Sequence, residues 1–320
     1  MFEVVFLGTA AGVPSAERGL PALLVMHGGR RFLVDCGEGT QRQLLQSGLG
    51  LRRLDCILLT HAHVDHMLGI GGLVATLALL QAGERLTVYG GATTLRAVRS
   101  LLLEVIWPGG RAPIDVRYEP IAPGVIIEDE RLCVRAFPVS HRGADNFGFA
   151  FEERPRPRLR PERLAALEVP AGPERGRLLQ GETIVLPNGR TIGPDEVVGP
   201  PASSIRLVVV GDAGAADELL EVVRGADALI IEATFLQRDA DKAAERGHLT
   251  AAQAARLARA ANVRALYLTH LSGRYEQAEV EAEARGIFPG ATVARDFDRI
   301  AVRAEDPVSE EISHDGRRGS

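Results

Sequence analysis

Six consecutive residues, His61-Ala62-His63-Val64-Asp65-His66, constrain this chain more than any other feature. They close an apolar run over 54–60 that reads as a fully buried strand. Three imidazoles and a carboxylate bunched at such a place are costly to take out of water alone, and a cation is their natural partner. In extended backbone His61 and His63 point to one side, whereas Asp65 and His66 can turn toward a neighbouring position. Only eight histidines occur in 320 residues. Two more follow apolar runs, in Val139-Ser140-His141 and Leu268-Thr269-His270, and a third such run ends in Val210-Gly211-Asp212. Strand ends that supply three further ligands predict a two-metal site.

The spacing of the remaining apolar residues predicts where these ends lie. Strands are expected over 3–7, 22–27 and 31–35, with Gly28-Gly29 as a hairpin turn, and again over 86–89, 125–127, 132–139, 205–210 and 228–232. Thr40 with Gln43, and Thr250 with Gln253, have capping-box spacing, which predicts helices over 40–47 and from 250 to about 261. A helix over 67–81 carries Gly69, Gly71 and Gly72, small residues that let its backbone approach another segment closely. The echo between Ile57-Leu58-Leu59-Thr60-His61 and Leu266-Tyr267-Leu268-Thr269-His270 suggests two sheets face to face, helices outside, and a site on the shared rim.

Charge excludes some partners. With 37 basic and 42 acidic residues the net charge is −5, so the chain as a whole is no electrostatic nucleic-acid binder and any such contact needs a local patch. One such patch exists in the proline-rich segment 152–177, an excursion from the main body: Arg154, Arg156, Arg158, Arg160 and Arg163 face only Glu162, a local balance of +4. A solvated loop is the ordinary alternative. Three cysteines, Cys36, Cys56 and Cys133, without a CxxC spacing, argue against a disulfide framework and for a reducing compartment. The apolar stretch 69–80 is too short to cross a bilayer, so a soluble cytoplasmic protein is expected, with a disordered polar tail over 305–320. His27 and His314 read as solvent-exposed bystanders.

HAHVDH followed by an isolated His, an Asp and a His resembles the metallo-β-lactamase superfamily. Further motifs narrow the resemblance: Leu7-Gly8-Thr9 with Pro14 and Arg18, Asp35-Cys36-Gly37-Glu38-Gly39-Thr40-Gln41, Glu232-Ala233-Thr234-Phe235, Gly247-His248-Leu249-Thr250 and Thr269-His270-Leu271-Ser272-Gly273-Arg274-Tyr275. Together they resemble the ribonuclease Z family of tRNA 3′-processing endonucleases, up to about residue 300. The resemblance implies an α/β fold, an αββα sandwich as one domain over 1–304, with 152–177 as a flexible arm.

It also implies two Zn2+ per subunit, with Mn2+ as the alternative. His61, His63 and His141 would hold one, Asp65, His66 and His270 the other, and Asp212 would bridge them. Asp65 would accept a proton as well, while His248, oriented by Glu232, would touch the phosphate and help the leaving oxygen take a proton. The expected reaction is removal of the 3′ trailer from precursor tRNA by a hydroxide generated at the metals, leaving a 3′-hydroxyl, in a homodimer whose arm arginines grip the tRNA. Arg274 is either a phosphate contact or an ion-pair partner. The segment with Glu38, Thr40, Gln41 and Arg42 either caps a helix or shapes the phosphate pocket. One departure from the family pattern adjoins the site, Ala213 where threonine is common. Competing functions are a small-molecule phosphodiesterase, an arylsulfatase-like or lactonase activity on the same metals, and an RNA-binding module with a degenerate site.

Overall fold

The computed structural model describes residues 1–154, 157–199 and 204–303. Arg156 and the tail expected over 305–320 lie outside these residues. Strands β1 (Phe2–Gly8), β2 (Ala22–His27), β3 (Arg30–Val34), β4 (Cys56–Leu58), β5 (Arg85–Gly90) and β6 (Asp115–Pro120) build one sheet in chain order. The chain then crosses to a second sheet with β7 (Gly124–Glu128), β8 (Leu132–Pro138) and β9 (Phe147–Glu153). After a short hairpin of β10 (Ile184–Val185) and β11 (Thr191–Ile192), it returns to the second sheet with β12 (Ile205–Val209), β13 (Ala228–Glu232), β14 (Leu266–Thr269) and β15 (Ala291–Val293). Finally β16 (Arg299–Val302) pairs back onto β1 and completes the first sheet.

The alternating residues of both sheets fill the layer between them. Phe2, Phe6, Phe32 and Leu58 from one side meet Phe149, Phe151, Leu207 and Ile230 from the other. Phe151 is edge-on to Phe2 and Phe32, with centroids 6.2 and 5.7 Å apart. The opposite faces are covered by helices. Leu33, Ile57 and Leu59 pack on Leu73, Val74 and Leu77 of the helix Ile70–Leu79. Val208, Leu229 and Leu268 receive Ala254, Ala255 and Ala258 of the helix Ala251–Ala260, whose small side chains let it lie close to the sheet. Helix, sheet, sheet, helix is the layering the sequence predicts.

Strand direction places the chemistry. β3, β4 and β5 run parallel, as do β12, β13 and β14, while β8 runs antiparallel to β9 and β9 antiparallel to β12. The carboxyl ends of β4, β8, β12, β13 and β14 therefore arrive at one rim, where crevices of open α/β sheets form.

Local details differ from the sequence reading at four places. The helix expected over 67–81 is two: Val64–Met67 and Ile70–Leu79, broken at Leu68-Gly69. Thr40 does not form a capping box, because its hydroxyl donates to Gly37 O at 2.7 Å and Gln43 Nε2 reaches Leu7 O at 2.7 Å, whereas Thr250 and Gln253 do cap reciprocally. His27 is buried rather than exposed, its ring tilted on Phe2 at 4.8 Å and its Nε2 3.5 Å from Glu153. The excursion drawn over 152–177 has other bounds: Glu152 and Glu153 belong to β9, and a folded unit extends past 177 to Val197. That unit has its own small core of Leu164, Leu167, Val169, Leu178, Ile184, Leu186, Ile192 and Val197. Among the described residues no helix is long and apolar enough to cross a membrane.

Close backbone approach locks the ligand helix Val64–Met67 in place. Cys36 N–H donates to His66 O at 2.7 Å and Gly69 N–H to Cys36 O at 2.9 Å. A Cβ on Gly69 would meet Gly37 O at 2.0 Å, and one on Gly37 would meet Asp65 O at 2.4 Å. Gly69→Ala is therefore expected to destabilise the fold by about 1–3 kcal/mol. Gly83→Ala, whose new methyl group meets nothing nearer than 3.9 Å, is expected to change stability by no more than about 0.5 kcal/mol. Urea midpoints of the two variants check the contrast.

Candidate metal centre

Asp212, just past the end of β12 and buried, is the middle of the rim. Its Oδ2 faces His61 Nε2 at 3.7 Å and His141 Nε2 at 3.6 Å, and its Oδ1 faces His66 Nε2 at 3.4 Å and His270 Nε2 at 3.3 Å. Asp65 Oδ2 stands 3.6 Å from both His66 Nε2 and His270 Nε2. His63 Nδ1 lies 3.4 Å from His141 Nε2. The donor atoms form one group of His61, His63, His141 and Asp212 and another of Asp65, His66 and His270, each within 4.8 Å, and His248 joins Asp212 and His270 in a third. Asp212 has one oxygen toward each of the first two.

The far side of each ring explains why these near atoms point inward. His66 Nδ1 is 2.7 Å from Asp35 Oδ2, His61 Nδ1 2.9 Å from Thr60 Oγ1, His141 Nδ1 2.7 Å from Gly247 O and His270 Nδ1 2.9 Å from Thr234 Oγ1. Thr60 Oγ1 in turn bonds Asp35 at 2.9 Å. A neutral imidazole that donates from Nδ1 carries its lone pair on Nε2. The Nε2 atoms of His61, His66 and His270, and Asp212 Oδ1, are buried without a hydrogen-bond partner. Buried lone pairs converging on one another and on a carboxylate are unfavourable until a cation stands among them, so the residues present fit a divalent metal pair. Asp35 and His270 carry φ of 58° and 56°, left-handed backbone that is strained for these side chains and clusters at working sites.

The electrostatics of His61, His63 and His141 agree with that fit. Burial pushes the pKa of His61, His63 and His141 down, so these rings favour the neutral form that binds metal. Burial alone would raise Asp65, but the imidazoles of His270 and His66, each 3.6 Å away, outweigh it and hold the carboxylate below its ordinary range. His66 goes the other way: burial opposes protonation, yet Asp212 and Asp35 outweigh it and hold its pKa well above the ordinary value, so a cation at Nε2 would have to displace a proton there.

Beside the ligands stands a second pair. His248 Nδ1 lies 3.0 Å from Glu232 Oε1, at the buried end of β13. Glu232 also accepts from Ala213 N at 2.7 Å and from Thr234 Oγ1 at 2.5 Å. At residue 213 the bond to Glu232 comes from the backbone, while the methyl group packs in the core. Burial lowers the pKa of His248, but the bond and charge of Glu232 outweigh this and leave it above the ordinary histidine value.

The other candidates are scattered. Arg154 sits next to β9 and pairs with Glu128; Arg160 and Arg163 donate to Val198 O and Glu196 O, at 3.1 Å each, inside the arm. Arg158 is exposed, and Arg274 is exposed on the turn after His270. Asp35, Thr60 and Thr234, which hold the ligand rings from behind, carry no assigned role in the sequence reading. Asp35 and Thr60 each follow an apolar strand, and Asp35 and Thr234 lie within the motifs quoted above, which are the signals that mark them.

Residues 21–155 match the metallo-beta-lactamase superfamily and residues 197–271 a beta-lactamase superfamily domain. Ribonuclease Z of Bradyrhizobium diazoefficiens is 54% identical over 302 residues, covering 94% of this chain and 100% of that protein. Its counterpart from Methanothermobacter thermautotrophicus is 36% identical, covering 96% and 98% of the two chains. The chain belongs to the ribonuclease Z family. Among solved structures, the short form of human tRNase Z superimposes with a TM-score of 0.65 at 26% identity, over 94% of this chain and 99% of that one. The family's metallo-β-lactamase fold, two mixed sheets between helices, is the architecture found here.

Partners behind metal-bound imidazoles are worth about 10–100-fold in metal affinity. Asp35→Asn, which removes the carboxylate behind His66, is expected to weaken binding by about that factor while leaving the fold intact. Competition against a chromophoric chelator, with circular dichroism beside it, checks both halves.

Proposed function

We propose that this chain is a metal-dependent endoribonuclease that removes the 3′ trailer from precursor tRNA and leaves a 3′-hydroxyl on the tRNA. One observation carries the reading: the Glu232–His248 pair lies at the edge of a shared-carboxylate ligand set in a chain of which 94% matches a ribonuclease Z relative. His248 Nδ1 is committed to Glu232. Its other nitrogen is left for a substrate oxygen, and the ring lines an open recess beside His63.

Two divalent cations, Zn2+ on the imidazole-rich donor set with Mn2+ as the alternative, would polarise the phosphate oxygens and lower the pKa of water from about 15.7 toward about 7. His61, His63 and His141 would hold one and Asp65, His66 and His270 the other, with Asp212 available to both. The chain's own residues do the rest. Asp65, kept ionised and fixed by Gly12 N–H at 3.0 Å, accepts the proton released at the attacking oxygen. His248, biased toward its protonated form by Glu232, supplies a proton to the departing 3′-oxygen.

The arm supports a macromolecular substrate. A unit with its own core, carrying Arg158 exposed, gives a large RNA a second hold away from the scissile bond, for which a lactone or a small diester has no use. Arg274 is proposed to meet a phosphate near His270. The reading extends to a homodimer whose subunits lend each other their arms, and to the cytoplasm, where the free, buried Cys36, Cys56 and Cys133 stay reduced.

The test is a trailer-bearing tRNA transcript incubated with the protein, with mapping of the cut and its end groups. Cleavage that frees the trailer and leaves a 3′-hydroxyl on the tRNA is expected, with a loss of at least about 100-fold in kcat for Asp65→Ala and for chelator-stripped protein. An intact transcript beside active hydrolysis of a small phosphodiester would favour the small-molecule reading.

A further inference from the structure

We infer that Arg142 and Arg246 form a phosphate subsite at the mouth of the metal centre, taking a nucleotide-backbone phosphodiester adjacent to the one being cut. The inference rests on the ribonuclease reading above and adds residues that neither the ligand sets nor the Glu232–His248 pair include. Arg142 follows the ligand His141, and Arg246 stands two residues before His248. The short links that place the chemistry therefore place both guanidinium groups.

The two loops are laced together: His141 Nδ1–H donates to Gly247 O at 2.7 Å and Arg142 Nη2 to Glu245 O at 2.5 Å. Gly247, with φ of 71°, ends the helix Ala240–Arg246 and turns the chain toward His248. Between the loops is an open recess of ≈ 450 Å³ lined by His63, Arg142, Glu245, Arg246 and His248. Only one N–H of Arg142 is used on Glu245 O, which leaves the outer edge of its fork for a bidentate phosphate contact. Arg246 is exposed and its side chain bonds to none of the described residues.

The charge of the recess fits an anion. Two guanidiniums stand against the single carboxylate of Glu245. The scissile phosphate belongs between the ligand sets, so the next phosphate of a polynucleotide leaving that point past His63 and His248 meets the arginines. A diester with one phosphate does not reach them. The subsite therefore separates RNA from small phosphodiesters, a discrimination that the metals, which see only the reacting phosphate, do not supply.

The experiment compares Arg246→Gln, Arg142→Gln and Arg246→Lys in the metal-loaded protein, on precursor tRNA and on bis(p-nitrophenyl) phosphate. Each lost contact with a single strand should flatten the dependence of log(kcat/KM) on log[salt] by about 0.7, which is about a fivefold loss on tRNA at 0.1 M relative to 1 M salt. The ratio of kcat/KM on tRNA to that on the small diester is expected to fall by the same factor, and Arg246→Lys, which keeps the charge, to restore the slope. Parallel losses on both substrates, or an unchanged salt slope, would overturn the subsite. Failure of the ribonuclease reading shows separately, as a parent protein that hydrolyses the small diester and leaves tRNA uncut. In that event the salt slope of the Kd for a short single-stranded oligoribonucleotide, read by anisotropy, decides the subsite in the same way.

Discussion

The shared carboxylate of Asp212 is the constraint around which the molecule is arranged. It sits buried with imidazole nitrogens 3.3 to 3.7 Å from its two oxygens, too far for a strong hydrogen bond and well placed for an intervening ion. Four buried atoms without partners meet there. Left alone, such a cluster opposes folding; with divalent cations it becomes a tie between two sheets. β4 comes from the first sheet and β8, β12 and β14 from the second, so filling the site holds the two halves of the sandwich at their rim.

Everything close to that point is shaped to keep the rings still. Asp35 and Thr60 stand behind His66 and His61, Thr234 behind His270, and a backbone carbonyl behind His141. Thr234 has a double duty, since its hydroxyl reaches Glu232 as well as His270. Through Thr234 and Glu232, His270 and His248 share one hydrogen-bonded chain, so the same few contacts position both rings.

Legibility in the sequence followed distance along the chain. HAHVDH is local, and its density alone argues for metal. His141, Asp212 and His270 stand out because each ends an apolar run, so the parallel strands could be expected to bring them to one edge. The partners behind them could not be found this way: Asp35 is 31 residues from His66 and Thr234 is 36 from His270, and only the register of the sheets joins them. The arm was harder still. Its core of Leu164, Leu167, Val169, Leu178, Ile184 and others has neither helical nor strand periodicity, because short helices and a small hairpin alternate within about forty residues. Read by composition, that stretch shows prolines and arginines, and two of those arginines, Arg160 and Arg163, serve the arm's own backbone. His27 was misplaced for a related reason, as the turn Gly28-Gly29 is exposed while the last residue of β2 is covered by Phe2.

The claim on which the rest depends is that Asp212 is held between two cations. Anomalous diffraction from crystals of the protein purified without chelator, with metal content measured on the same sample, tests it directly. The account predicts two peaks, one on each side of Asp212, with His61, His63 and His141 around one and Asp65, His66 and His270 around the other. A single peak, or none, with these imidazoles hydrogen-bonded to one another or to water, would contradict it.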